Sequence, residues 1–228
     1  MTKRGHGVTM LRQMVRSAVH VILPNGPKER TIFRGLAKGI PANIDFKWDT
    51  AFYFGLHEPV LHQHYRRLLK PGMRSFDIGA YRGWDALSIA RLTGSQVVTF
   101  DLDPHSIETV KSFVSASGFP IIAQQAMFGN GGATIDEMSK EFFYPDFIKM
   151  DIEGAEAAVL RDAPETLKRG PALIIEVHSA DLERDCLDTL HHKGYRAVIV
   201  NPERHLFSES RGYFHNRWLV CERIKQLL

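Results

Sequence analysis

The chain reads as an α/β protein: a three-layer, Rossmann-like fold with a mostly parallel seven-stranded sheet and helices on both faces. Three observations predict this. Apolar segments six or seven residues long recur at 74–79, 96–101, 120–126, 146–151, 171–177 and 195–200. Helical patterns fill several of the gaps between them, and strands that are apolar throughout belong to a parallel sheet covered on both faces. Polar residues then gather at the ends of these segments: Asp77, Asp101, Gln125, Asp151 and His178. In open α/β sheets that carboxyl edge is where ligands sit.

The elements follow in order. Residues 9–23 place Met10, Leu11, Met14, Val15, Ala18, Val19 and Ile22 at helical spacing, with Arg12, Gln13, Arg16 and Ser17 opposite. This amphipathic helix packs on its own domain or on a second copy; a membrane-surface helix is the alternative. Residues 30–54 show little periodicity, so 1–54 is read as an N-terminal helical extension or cap and 55–228 as the Rossmann-like domain. Glu58 and Pro59 open a helix that Lys70-Pro71-Gly72 ends. His62 and His64 within it are two apart and do not share a face, so with His57 they read as surface or packing residues. A helix follows from about Trp84 to Leu92, and Asp103-Pro104 caps the next. Further helices are expected from about 152 to 162 and over 180–192, the latter with Gly194 beyond its end. A final pair of extended segments occupies 204–221.

The run FDIGAYRG at 76–83 carries most of the chemistry. A strand, a glycine turn, a helix and a second strand ending in Asp101 form a nucleotide-binding βαβ pattern. A dinucleotide fingerprint needs a second glycine where the backbone meets pyrophosphate. Here the turn is Gly79-Ala80-Tyr81-Arg82-Gly83, and Tyr81 stands at that position. The expected ligand is therefore a nucleoside without phosphates, with S-adenosylmethionine first. Asp77 is placed to pair with its ammonium and Asp101 with its ribose. The alternative is a βα turn whose glycines serve packing alone.

FDIGAYRG, VVTFDLDP, FIKMDIEGAE and ALIIEVH, in that order, resemble the FkbM-type methyltransferases over roughly Gly55 to the C-terminus. The resemblance implies the class I Rossmann-like fold, S-adenosylmethionine as cofactor and methylation of a hydroxyl on a sugar or natural product. Asp77, Gly79, Ala80 and Gly83 would hold the amino-acid part of the cofactor, Asp101 the ribose, and Gln125 and Ala126 the adenine edge, with Tyr81 and Leu102 also among the cofactor-binding residues. Asp101 stands where Glu is commoner in the group, and Leu102 where Pro is frequent. An alcohol needs a base at neutral pH. His178 is the first candidate. Asp151 could orient the acceptor, touch the cofactor or ligate a divalent metal such as Mg²⁺. Lys149 points to the same edge or pairs with Glu176 on the next strand. Glu153 and Glu156 read as helix-start acids complementing the dipole, and Gly154 as a close-packing position.

Composition narrows the field. The net charge is +3 and the basic residues are dispersed, which argues against a nucleic-acid partner and for a small hydroxylated acceptor. Two cysteines, Cys186 and Cys221, form no zinc spacing or disulfide framework and suit reduced thiols in a cytoplasmic protein. No run reaches membrane-spanning length and no signal-peptide pattern is read. A nicotinamide oxidoreductase, a non-catalytic cofactor- or partner-binding relative, and an RNA or protein methylase are the competing readings. No amide-methylating N-P-P-Y-like run follows the fourth strand, where the chain reads MDIEG.

Overall fold

A computed structural model describes residues 26–202 and 215–224. The expected 9–23 helix and the first extended segment after 204 lie outside the described residues. The chain begins with a two-stranded antiparallel hairpin, β1 (Lys28–Thr31) and β2 (Pro41–Ile44). A helix, Phe46–Tyr53, follows; Asp45 caps it by accepting from the Lys47 N–H. The stretch with little periodicity is thus a hairpin and a two-turn helix, elements too short to show a period.

The seven-stranded sheet comprises β3 (Ser75–Ile78), β4 (Val97–Asp101), β5 (Ile121–Gln125), β6 (Phe147–Met150), β7 (Ala172–Val177), β8 (Tyr195–Val200) and β9 (Arg217–Arg223). Its order is β5-β4-β3-β6-β7-β9-β8, parallel except for β9, which runs antiparallel to both neighbours. The fold class expected from the sequence is the one observed.

Side-chain alternation divides the sheet into two faces. Phe76, Ile78, Phe100, Ile148, Met150 and Leu173 point to one face, where they meet Ile135, Leu160, Leu167 and Leu190 from the helices on that side. Val97, Phe147 and Ile174 point to the other, beneath helices His62–Leu68 and Trp84–Thr93. Ser75, Asp77, Thr99, Lys149 and Glu176 share this second face and are buried. Thr99, Asp77 and Lys149 lie directly abreast on β4, β3 and β6. A buried polar row therefore crosses an otherwise apolar layer.

The hairpin and the Phe46–Tyr53 helix join a third apolar cluster with Leu87 and Phe113. Asp49, fully buried on that helix, binds Arg82 of the glycine turn through two hydrogen bonds (2.7 and 3.0 Å) and accepts from the Trp84 indole at 2.9 Å. The N-terminal elements are thereby fastened to the turn. Among the described residues, no helix is long and apolar enough to cross a membrane.

Candidate active site

β4, β3, β6 and β7 lie side by side, and their carboxyl ends bring the candidate residues together. Gly79 leaves β3 at φ +97°, and a Cβ there would sit 1.8 Å from the Asp151 carbonyl oxygen. Only glycine allows the turn after β3 to touch the backbone after β6. The N–H groups of Gly79 and Ala80 both donate to the Phe100 carbonyl, and that of Gly83 to Ala80. Tyr81, at φ +43°, donates its N–H to Asp101 Oδ2 at 2.8 Å. Asp101 Oδ1 accepts from the Asp103 N–H at 2.9 Å. Four of the five turn N–H groups are thus committed within the protein. The turn cannot cradle a pyrophosphate with them, and Asp101 holds the turn in shape as well as standing at its edge.

Asp77 is buried beneath this turn. Its Oδ2 accepts from the Thr99 hydroxyl at 2.7 Å, and its Oδ1 has no hydrogen-bond partner among the described residues. Burial, reinforced by the charge of Asp85, pushes its pKa from 3.8 up to about 7. The sign follows from linkage: the unfolded carboxyl ionises near 3.8 while the folded one keeps its proton to about 7, so this group costs stability progressively as pH rises through that window. Asp77→Asn should flatten the fall in Tm between about pH 4 and 7. Melting profiles of variant and wild type that run parallel there would assign the ionisation elsewhere.

Lys149, abreast of Asp77, is fully buried. Its Nζ lies 3.6 Å from Asp85 Oδ2 and 3.6 Å from Asp151 Oδ2. These two carboxylates, rather than Glu176, are its near ion-pair partners. Register explains the difference: Lys149 stands opposite Ile174, and Glu176 lies two residues further along β7. Burial opposes the ammonium charge, but Asp151, Asp85, Glu58 and Glu176 outweigh it and hold the pKa well above its usual value. Asp85 also accepts from the buried Tyr65 hydroxyl at 2.7 Å.

His178 follows β7. Its Nδ1 lies 2.9 Å from Glu156 Oε1, and its Nε2 3.4 Å from Asp151 Oδ1 and 3.9 Å from Glu176 Oε1. The Glu156 hydrogen bond first, then Asp151 and Glu176 against the opposing effect of burial, raise the His178 pKa above 6.5. Glu156 is fully buried and also accepts from the Gly154 N–H. It opens helix Glu156–Arg161, as its dipole reading expects, yet its carboxylate reaches the site as well. The expected 152–162 helix is shorter because Glu153 (φ +50°) and Gly154 (φ +120°) hold left-handed conformations. Gly154 has nothing within 4 Å of a notional Cβ, so its role is conformational and not the close packing expected.

The remaining candidates stand at the rim. Gln125 is exposed and donates to the Leu102 carbonyl at 3.2 Å; Ala126 donates its N–H to the Asp101 carbonyl. Tyr81 and Leu102 are exposed (54% and 64%), leaving apolar surface around the β4 end. Asp85, Tyr65 and the reach of Glu156 escaped the sequence reading. The visible signal was a lone lysine inside an apolar strand, which demands buried carboxylates somewhere.

Comparison with known proteins bears on the same residues. The methyltransferase FkbM domain matches residues 133–213. The match contains IKMDIEGAE and ALIIEVH and hence Lys149, Asp151, Glu156 and His178; the glycine turn lies before it. No curated protein matches the chain. Among solved structures, a precorrin-6y methyltransferase from Geobacter metallireducens is 15% identical with a TM-score of 0.53, covering 74% of this chain and 87% of its own. A ribosomal protein L11 methylase from Lactobacillus delbrueckii subsp. bulgaricus is 13% identical, with a TM-score of 0.55 and coverage of 74% and 79%. A SAM-dependent O-methyltransferase from Thermotoga maritima is 15% identical, with a TM-score of 0.54 and coverage of 72% of this chain and 64% of that one. These likenesses establish the fold around the FkbM domain: the Rossmann-like fold of class I methyltransferases.

Proposed function

We propose that the protein is an S-adenosylmethionine-dependent O-methyltransferase acting on a hydroxyl of a sugar or natural product. The observation that carries this reading is His178, held between buried Glu156 at 2.9 Å and Asp151 at 3.4 Å beside the glycine turn. Bound S-adenosylmethionine would supply an electrophilic methyl group on a sulfonium. The residues present fit it. The turn offers committed N–H groups and a nearby buried carboxylate, which suits a cationic ligand without phosphates. Gly79, Ala80, Tyr81 and Gly83 would wrap the amino-acid part, Asp101 and Leu102 the ribose, and Gln125 and Ala126 the adenine edge.

Glu156 accepts the Nδ1 proton of His178 and thereby leaves Nε2 as the basic nitrogen. Nε2 would take the acceptor's hydroxyl proton, and the cofactor would supply the methyl group to that oxygen, its sulfur–methyl bond breaking to leave a neutral thioether. Asp151 orients the acceptor and steadies the imidazolium that forms. Lys149 holds Asp151 in place through their ion pair; in this reading it positions and does not touch the acceptor. The 28–54 hairpin and helix, anchored through Asp49 and Arg82, act as the cap that selects the acceptor.

Several features weigh against the other readings. Asp85, Asp151, Glu156 and Glu176 make the site acidic, which repels a phosphate backbone. The committed turn N–H groups weigh against a nicotinamide dinucleotide. Asp151, Glu176 and His178 also bring donor atoms within 4.8 Å of one another, so a divalent ion such as Mg²⁺ is a second reading of this corner. His178 Nε2, the donor that this ion would take, is the proposed base, which weighs against it.

The test is calorimetric titration with S-adenosylmethionine and, separately, NADH. Micromolar binding of the methyl donor alone is expected, weakened at least tenfold by Asp101→Ala. Binding of NADH, or of neither ligand, would overturn the cofactor assignment.

A further inference from the structure

A second cluster lies across Lys149 from the candidate base. His57, Glu58 and Asp85 each offer a donor atom, and these atoms lie within 4.8 Å of one another. The same three residues line one small cavity, together with His62 and Tyr65. Its volume is about 10 Å³. That is the space of about one water-sized sphere, enough for a single ion and too little for an organic molecule. Donor chemistry and cavity size are independent observations: the first offers ligands for a cation, and the second leaves room for one small occupant.

We infer that this cavity is a binding site for one first-row divalent cation of the Mn²⁺ or Zn²⁺ kind. One imidazole nitrogen and two carboxylate oxygens suit these ions better than Ca²⁺ or Mg²⁺, which favour all-oxygen shells. Donors on one tetrahedral ion stand ~3.4 Å apart; these donor atoms lie within 4.8 Å of one another and would close in around the ion. The ligand orientations are supported from outside. The His57 ring packs edge-on against Trp84 at 4.7 Å, and Tyr65 donates to Asp85 Oδ1. His62 has its Nε2 3.0 Å from the His57 carbonyl, which fixes the backbone beside that ligand.

Lys149 opposes the ion, 3.6 Å from Asp85 Oδ2. It has a second carboxylate at the same distance, Asp151, to which an arriving ion would push it. The cation would thus bridge the 57–58 segment to the start of helix Trp84–Thr93 and tighten the Lys149–Asp151 pair. Its role is to order the site, and it makes no bond to the acceptor in this account.

The experiment is titration of the full chain with Mn²⁺ and, separately, Zn²⁺, by calorimetry, with bound Mn²⁺ also read by electron paramagnetic resonance. Expected are one saturable ion per chain, a rise in Tm, and at least tenfold weaker binding in both His57→Ala and Glu58→Gln, with His178→Ala unchanged. Near-UV circular dichroism on the same samples checks that each variant is folded, and Glu58→Gln, which keeps the side-chain shape, decides if His57→Ala is not. Absence of saturable binding to wild type overturns the inference. So does binding that survives His57→Ala and Glu58→Gln but is lost in His178→Ala, which would place the ion among Asp151, Glu176 and His178. Ion binding without methyl-donor binding would retain this site and remove only the cofactor assignment.

Discussion

Replacing His178 by Ala should lower kcat for methyl transfer by about 10²–10⁴-fold while leaving the affinity for S-adenosylmethionine within a few-fold of wild type. In the proposed reading the imidazole serves the acceptor, and the cofactor contacts proposed for the glycine turn do not pass through it. The pH dependence carries the finer test. Glu156 is the largest cause of the raised His178 pKa, so the free base appears only above the ordinary 6.5. Activity should therefore climb with pH through a limb lying above 6.5. The stability contribution runs the other way: the imidazolium–carboxylate contacts are fully present below 6.5 and are lost as pH rises through the raised folded value. Glu156→Gln keeps an oxygen to accept the Nδ1 proton but removes the charge. It should move the activity limb to lower pH and retain part of the rate. Glu156→Ala should lose the tautomer preference and most of the rate. A limb that stays fixed in Glu156→Gln would mean that another group is the base.

The elements that could be read from the sequence share a property: their signal is local. Apolar strands ending in acids, the Asp103-Pro104 cap and the glycine turn each occupy a few consecutive residues, and the observed bounds differ by one or two positions. The capping box Thr134-x-x-Glu137 that opens helix Ile135–Glu141 was equally local and was passed over. Helix Pro164–Arg169 was missed because its six residues are too few to show a period. The site was legible in a narrower sense. Asp77, Asp151, Lys149 and His178 could be placed at one sheet edge because strand ends converge in this architecture. Their partners could not. Asp85 meets Lys149, and Asp49 meets Arg82, across separations that only the folded chain closes. The reading of Glu156 as a helix-start acid captured its backbone surroundings and missed His178, twenty-two residues on, because one carboxylate serves both.

Gly79→Ala should be the most damaging single substitution in the glycine turn, destabilising the protein by about 3 kcal/mol or more. Two costs add. A Cβ at φ +97° is strained in itself, by about 1–2 kcal/mol. The new atom would also stand 1.8 Å from the Asp151 carbonyl oxygen, a backbone atom with no rotamer to escape into. Relief requires β3 and β6 to part at their carboxyl ends, and that movement carries Asp151 away from Lys149 and His178. Tm should fall by roughly 6–12 °C, since each kcal/mol is worth about 2–4 °C in a domain of this size. Affinity for the methyl donor should fall with it. Gly94→Ala separates the two costs: Gly94 also has a positive φ, +63°, but nothing lies within 4 Å of a Cβ there. Its expected loss is about 1–2 kcal/mol, the conformational part alone. Equal Tm shifts for the two variants in parallel melts would show that β3 and β6 are not in backbone contact at Gly79, and the turn would lose its place against Asp151.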